Sequence, residues 1–247
     1  MSWVAMFPGQ GSQQAGMGEE LLDKYSNILI DDFEETLGWS LQETILNSNQ
    51  EEITKTNIAQ PYIFAISYCY GLEVIKKLGL PKVGIGHSLG EYTALSLSEI
   101  LSYKDALKII SVRGKAMQEA VEGSSTTLAA VLTSNLKETI KSVEDLVEQG
   151  VDINISNYND ASQIVIGGSN EDIDYLKLNP KDLQAKRVIQ LDVAGAFHSP
   201  VVSSAKNKVK EVIEEIEFKK GQFSVYMNVD ANITKLSTVK DQLLNQI

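Results

Sequence analysis

The chain is short of cysteine, of histidine, of basic charge and of long apolar runs. Its one cysteine, Cys69, excludes an internal disulfide framework and suits a reducing compartment. Acidic residues outnumber basic ones, 33 against 22, for a net charge of −11. Nucleic acid and anionic membrane are therefore poor partners, because phosphate recognition needs a basic surface. The longest uncharged stretch, residues 56–72, contains Asn57, Gln60, Pro61 and Ser67. It also falls short of the ~20 mostly apolar residues that a spanning helix needs. The first residues show neither a basic leader nor an apolar signal core, so the expected location is the cytoplasm. What is present is ordinary globular material. The 247 residues are 43% hydrophobic, enough for one large domain or two modest ones and too apolar for a disordered chain.

The first part of the chain alternates strand and helix signals. Residues 3–7 form a short apolar run ended by Pro8-Gly9 and read as a buried strand. Residues 58–78 read as a mostly apolar helix, 82–86 as a second strand, and 89–97 and 103–121 as helices. Strands separated by helices imply a parallel sheet covered on both faces. The texture changes after Gly123-Ser124-Ser125. Residues 126–132 read as a strand, 136–149 as an amphipathic helix, 151–156 and 164–166 as strands around a polar turn at 157–162. A short helix at 171–178 and a strand at 186–192 complete a βαββαβ order, the ferredoxin-like split motif. The expected architecture is thus α/β. A large subdomain, residues 1–124 and 194–247, carries an inserted small subdomain, residues 125–193. After the insert we expect a long helix at 201–216, a strand at 223–229 and a helical tail without a cap, so a missing C-terminal piece is expected.

The sharpest chemical signal is Gly86-His87-Ser88-Leu89-Gly90, between a short apolar strand and a helix. That context makes Gly-x-Ser-x-Gly a nucleophile elbow. A serine on so tight a turn needs glycines beside it for clearance, and the helix N-terminus leaves the Leu89 N–H free to hold an oxyanion. The bland alternative is a glycine-lined turn with a buried serine. A nucleophilic serine needs a base, and the choice is narrow. His87 adjoins Ser88, so their side chains should diverge. His198, in the loop Gly195-Ala196-Phe197-His198-Ser199-Pro200, is the better candidate, and Asp192 is a weak third member.

Gly9-Gln10-Gly11-Ser12-Gln13 follows the first strand, and the Gln10 N–H can give a second oxyanion donor. A rival reading sees half a dinucleotide fingerprint there, with Asp31-Asp32 downstream. It fails at the third glycine, where Gln14 stands. Arg113 lies among Ile109, Ile110, Val112 and Met117. A guanidinium in apolar surroundings is costly unless it meets an anion, and its fork suits a carboxylate. An exposed or ion-paired arginine is the alternative.

Taken in order along the chain, these residues resemble the malonyl-CoA:acyl carrier protein transacylases of type II fatty acid synthesis and the related polyketide synthase acyltransferase domains. The matching segments are Phe7-Pro8-Gly9-Gln10-Gly11-Ser12-Gln13, Ala59-Gln60-Pro61, Gly86-His87-Ser88-Leu89-Gly90-Glu91-Tyr92 and Arg113-Gly114-Lys115-Ala116-Met117. They continue with Asn157-Tyr158-Asn159, Gly195-Ala196-Phe197-His198-Ser199-Pro200 and Asn228-Val229-Asp230-Ala231. The resemblance implies an α/β-hydrolase-like core with a ferredoxin-like insert. It implies a ping-pong transfer of malonyl from malonyl-CoA, through malonyl-Ser88, to the phosphopantetheine thiol of acyl carrier protein. His198 is then the base, the N–H groups of Gln10 and Leu89 form the oxyanion hole, and Arg113 pairs with the malonyl carboxylate. Gln60, Met117, Asn157, Phe197, Asn228 and Gln246 line or orient the pocket, with a backbone carbonyl, matched to Gln246, orienting the histidine. The Ala196-Phe197-His198 stretch is similar to the malonyl-selective form.

No cofactor or metal is implied, and a monomer is expected. Family members run on for several dozen residues, with a Pro-Val segment and a Gly-Pro-Gly motif that this sequence does not contain.

Three readings remain at this point. They are acyl transfer from CoA to a carrier of fatty acid or polyketide synthesis, a serine thioesterase or other hydrolase, and a non-catalytic domain that binds carrier protein. Carrier proteins are acidic, as is this chain, so docking needs a local basic patch. The candidates are Lys206, Lys208 and Lys210, or Lys181, Lys186 and Arg187.

Overall fold

A computed structural model describes residues 2–247. In chain order its elements begin with β1 (Val4–Phe7), α1 (Phe33–Leu37), α2 (Leu41–Asn47), α3 (Gln50–Thr54), α4 (Thr56–Leu78), β2 (Val83–Gly86), α5 (Gly90–Leu97) and α6 (Tyr103–Val121). There follow β3 (Thr126–Leu132), α7 (Leu136–Glu148), β4 (Ile153–Asp160), β5 (Gln163–Ser169), α8 (Asn170–Leu178) and β6 (Arg187–Gln190). The last are α9 (Ser203–Glu215), β7 (Ser224–Val225) and α10 (Val239–Asn245). The chain divides into two compact units, one of residues up to Ala116 with Lys206–Gln246, the other Met117–Ala205. The divisions fall inside α6 and α9.

The first unit is built on a parallel three-stranded sheet in the order β1-β2-β7, with Val4 opposite Val83 and Val83 opposite Ser224. All eight residues of α5 are buried, as a helix packed on a sheet and covered on its other side requires. Close approach is bought with glycine. A Cβ on Gly84 would stand 2.9 Å from the Phe223 ring and 3.4 Å from the Ala94 methyl. Helix α4, 23 residues long, buries Ala59 through Ser67 without a break, which is why its sequence shows little amphipathic stripe.

The second unit holds an antiparallel sheet in the order β4-β5-β3-β6. With α7 and α8 as its helices this is the ferredoxin-like βαββαβ arrangement. Its core gathers Ala129, Val131, Val143, Ile153, Ile164, Ile166, Ile173 and Leu176.

Several sequence expectations need correction. The segment 157–162 is not a polar turn, because β4 runs on to Asp160. Asn157 faces Val165 and Tyr158 faces Ile164 across two register shifts. Ladder hydrogen bonding overrides the polar composition there. The strand expected at 223–229 is two residues long, since the Met227 N–H turns back to the Asn232 carbonyl at 2.9 Å. The helix expected from 201 begins at Ser203, after a 3-10 turn at Pro200–Val202. Residues 27–32 form a π-type helical turn, Asn27–Asp32, and no strand lies between β1 and β2 among the described residues. The dinucleotide-fold reading therefore has no second strand to stand on. No helix among the described residues is long and apolar enough to cross a membrane.

Candidate active site

The strand-to-helix turn after β2 carries Ser88 at φ +51°, in the left-handed region that a non-glycine residue enters only at a cost of about 1–2 kcal/mol. The glycines on either side are obligatory. A Cβ on Gly86 would lie 2.0 Å from the Gly90 carbonyl carbon, and one on Gly90 would lie 2.4 Å from the Phe7 carbonyl oxygen. The latter contact shows how closely the end of β1 is laid against the elbow. Gly9 makes the same point, for its Cβ would meet the His87 carbonyl oxygen at 2.7 Å.

The start of α5 leaves one orphan donor. The N–H groups of Gly90, Glu91 and Tyr92 reach the carbonyls of His87, Ser88 and Leu89 at 2.9, 3.1 and 3.1 Å. The Ser88 N–H donates to Asn228 Oδ1 at 2.9 Å. Of the donors at this turn, the Leu89 N–H alone has no protein acceptor among the described residues, as an oxyanion donor requires. The Gln10 N–H is likewise without one, while its side chain is anchored to Thr56 Oγ1 at 3.1 Å.

Arg113 comes from α6 and is 1% exposed. Its Nη2 donates to Ser88 Oγ and to Gln246 Oε1, both at 2.9 Å, and its Nη1 donates to Gln60 Oε1 at 2.6 Å. The guanidinium lies 5.8 Å from the Tyr92 ring centroid, and its Nε–H is buried without a partner. No carboxylate pairs with it within salt-bridge distance among the described residues. Burial lowers its pKa, while Tyr92 and Glu91 act the other way. A guanidinium starts so high that it stays charged. The exposed or ion-paired alternative for Arg113 is therefore wrong.

The structure thus brings Ser88, Gln10, Leu89, Gln60, Arg113, Asn228 and Gln246 together in the first unit. In the second unit stand His198, Phe197, Met117 and Asn157. His198 also sits at positive φ, +56°, in a loop fixed by Ser199 Oγ donating to the Ala196 carbonyl at 2.6 Å. Phe197 and Met117 are buried, and Asn157 lies on β4 rather than in a loop. Asp192 is exposed, as is His87. Cys69 is buried and its thiol is pushed up to about 12 by desolvation and by Glu73, so it offers no thiolate at neutral pH. An apolar groove of about 310 Å³ along β1, lined by Met6, Pro8, Met17, Ile66 and Tyr70, contains none of the candidate site residues.

One residue of the site escaped the sequence reading. Glu91 is 0% exposed, and its two oxygens accept from the Asn228 N–H and from Gln246 Nε2, both at 2.6 Å. Burial pushes its carboxyl up to about 7 against the pull of the Asn228 N–H, Arg113 and Gln246, with Asp230 adding to the rise. A signal existed. Glu91 is the only Asp, Glu, Lys or Arg between Val83 and Ser98, on a helix with no solvent face.

Residues 4–242 match the family model described as the acyl transferase domain. This chain belongs to that acyl transferase family. It is 38% identical over 253 residues to the malonyl CoA-acyl carrier protein transacylase of Bacillus subtilis, with all of this chain and 79% of the relative covered. It superposes on an acyl carrier protein S-malonyltransferase from Vibrio cholerae with a TM-score of 0.88 at 30% identity, covering 100% of this chain and 82% of that one. A structure of a type II polyketide acyl-carrier protein in complex with its malonyl-transacylase is similar to the same degree, TM-score 0.88 at 30% identity, over 100% of this chain and 81% of the other.

Proposed function

We propose that this acyltransferase moves malonyl from malonyl-CoA to the phosphopantetheine thiol of acyl carrier protein through malonyl-Ser88. Ser88 Oγ attacks the thioester carbonyl and gives its proton to His198. The N–H groups of Gln10 and Leu89 hold the tetrahedral oxyanion, and collapse expels CoA thiolate, which takes the proton back from His198. The carrier thiol then loses its proton to His198 and attacks malonyl-Ser88, and collapse expels Ser88 Oγ, which takes that proton back from His198. Arg113 selects the substrate by pairing with its free carboxylate.

The observation that carries the reading is the buried guanidinium 2.9 Å from the serine hydroxyl with no carboxylate pairing it. A simple esterase has no use for a desolvated cation beside its nucleophile, whereas a half-acyl substrate brings the missing anion. The names of the relatives support the malonyl and carrier-protein assignments.

The test is intact-mass measurement after mixing with malonyl-CoA. A malonyl adduct is expected on the wild type and absent from Ser88→Ala. It should be at least tenfold slower to form in Arg113→Ala, which should accept acetyl-CoA better than the wild type does. An adduct that water removes as fast as carrier protein does would instead make the chain a hydrolase.

A further inference from the structure

The backbone of Ser88 is held from both sides. Asn228 Oδ1 accepts from its N–H at 2.9 Å, and Gln246 Nε2 donates to its carbonyl at 2.9 Å. Asn228 also donates from Nδ2 to the Gly86 carbonyl at 2.7 Å, so one amide spans the elbow. Neither clamp belongs to α5 or β2. Asn228 follows β7 and Gln246 ends α10, and each must be brought to the turn and kept there. The group that does so is the Glu91 carboxylate, in the first turn of α5, with one oxygen on each clamp at 2.6 Å. An acceptor-only group is required, because both partners present N–H. The amide of Gln246 is oriented unambiguously. The Ser88 carbonyl can only accept and Arg113 can only donate, so Nε2 faces the Ser88 carbonyl, and with it Glu91, while Oε1 faces Arg113 Nη2 at 2.9 Å.

We infer that Glu91 is a positioning residue for the nucleophile. Its carboxylate seats Asn228 and Gln246 on the two backbone groups of Ser88, and through Gln246 it aims Arg113 at Ser88 Oγ. The inference deepens the acyl-transfer reading and rests on Ser88 being the nucleophile, but not on the acyl donor. Buried charge-assisted hydrogen bonds of this length lose their whole function when the acceptor is removed, because the donors are left unpaired. A strained turn then relaxes toward an ordinary φ and carries the hydroxyl with it. Gln at position 91 keeps the volume and restores the bond to the Asn228 N–H. Its own amide N–H faces the Gln246 donor, so half of the clamp is lost.

The experiment follows covalent labelling of Ser88 by a fluorophosphonate, which needs a competent nucleophile and no CoA or carrier. Rate and final stoichiometry are read by intact mass on wild type, Glu91→Gln and Glu91→Ala, with circular dichroism to show folding. Malonylation is followed in parallel across malonyl-CoA concentrations. We expect stoichiometry near one per chain in all folded variants. Labelling and maximal malonylation should fall at least thirtyfold in Glu91→Ala and to an intermediate value in Glu91→Gln, with half-saturation by malonyl-CoA changed less than threefold. If Glu91→Ala does not fold, Glu91→Gln decides. A folded variant labelled at the wild-type rate, or a deficit confined to stoichiometry, overturns the inference. A wild type that labels readily but takes no malonyl from malonyl-CoA sinks the substrate reading, and the labelling rates still decide the role of Glu91.

Discussion

Glu91 shows how a single buried carboxyl couples chemistry to stability. Its pKa in the folded chain is about 7, against 4.5 for the free group, so the folded state holds a proton that the unfolded state has released between those values. The stabilising contribution is complete below about pH 4.5 and is lost as pH rises through about 7. Over that span the difference amounts to about 3 kcal/mol. Replacement by glutamine removes it. Urea unfolding of the wild type and of Glu91→Gln should therefore show their stabilities diverging as pH falls from 8 to 5, the wild type gaining relative to the variant. Parallel pH profiles would mean that the Glu91 carboxyl titrates normally. The positioning role pulls the other way, since both of its oxygens accept N–H groups fully only when ionised. Stability is thus given up at neutral pH for a carboxylate that holds the elbow, the trade seen where function fixes a residue that folding alone would not choose.

Elements reveal themselves in sequence to the extent that they are periodic and long. Helix α6 and strand β3 stand at the residues read for them, because α6 shows one apolar side and β3 is a run of Leu, Ala and Val between polar ends. The stretch from 19 to 54 shows no periodic helix or strand signal. Its helices are five to seven residues long and are held by single anchors such as Phe33, Leu41, Ile45 and Ile53, so tertiary packing rather than local propensity makes them. The elbow was legible because its glycines are a steric necessity, and Arg113 because a cation among Ile and Val stands out. The Glu91 clamp was not, since its partners Asn228 and Gln246 lie 137 and 155 residues away. The element-scale prediction concerns that steric necessity. Gly86→Ala sets a methyl 2.0–2.2 Å from the Gly90 carbonyl and the Glu91 nitrogen, where only backbone can yield. We expect a loss of about 3 kcal/mol or more by denaturant unfolding, with slow fluorophosphonate labelling in whatever remains folded. A midpoint close to the wild type would show that the β2–α5 turn opens freely.

At the scale of the whole molecule, an enzyme of net charge −11 must receive an acidic carrier. Repulsion between the two acts over about 8 Å at physiological salt, so a basic patch closer than that to the carrier can reverse it locally. The two candidate patches differ in what already engages them. Lys206 donates to Asn245 Oδ1 at 2.6 Å, and Lys210 lies 3.5 Å from Glu214. Lys181, Lys186 and Arg187 are exposed, and no carboxylate pairs with them among the described residues. Charges without internal partners cost nothing to redirect toward a ligand. Reversing Lys181, Lys186 and Arg187 together to glutamate should raise KM for the carrier about tenfold and leave formation of malonyl-Ser88 within twofold, because the proposed transfer loads CoA and carrier in separate half-reactions. Lys208→Glu and Lys210→Glu together should change the same KM less than threefold. Raising ionic strength from 50 to 300 mM should weaken the wild-type carrier step and leave the triple variant nearly unaffected, since its attractive charges are already gone. If salt instead speeds the wild-type carrier step, bulk repulsion dominates the encounter and the 181–187 patch does not steer it.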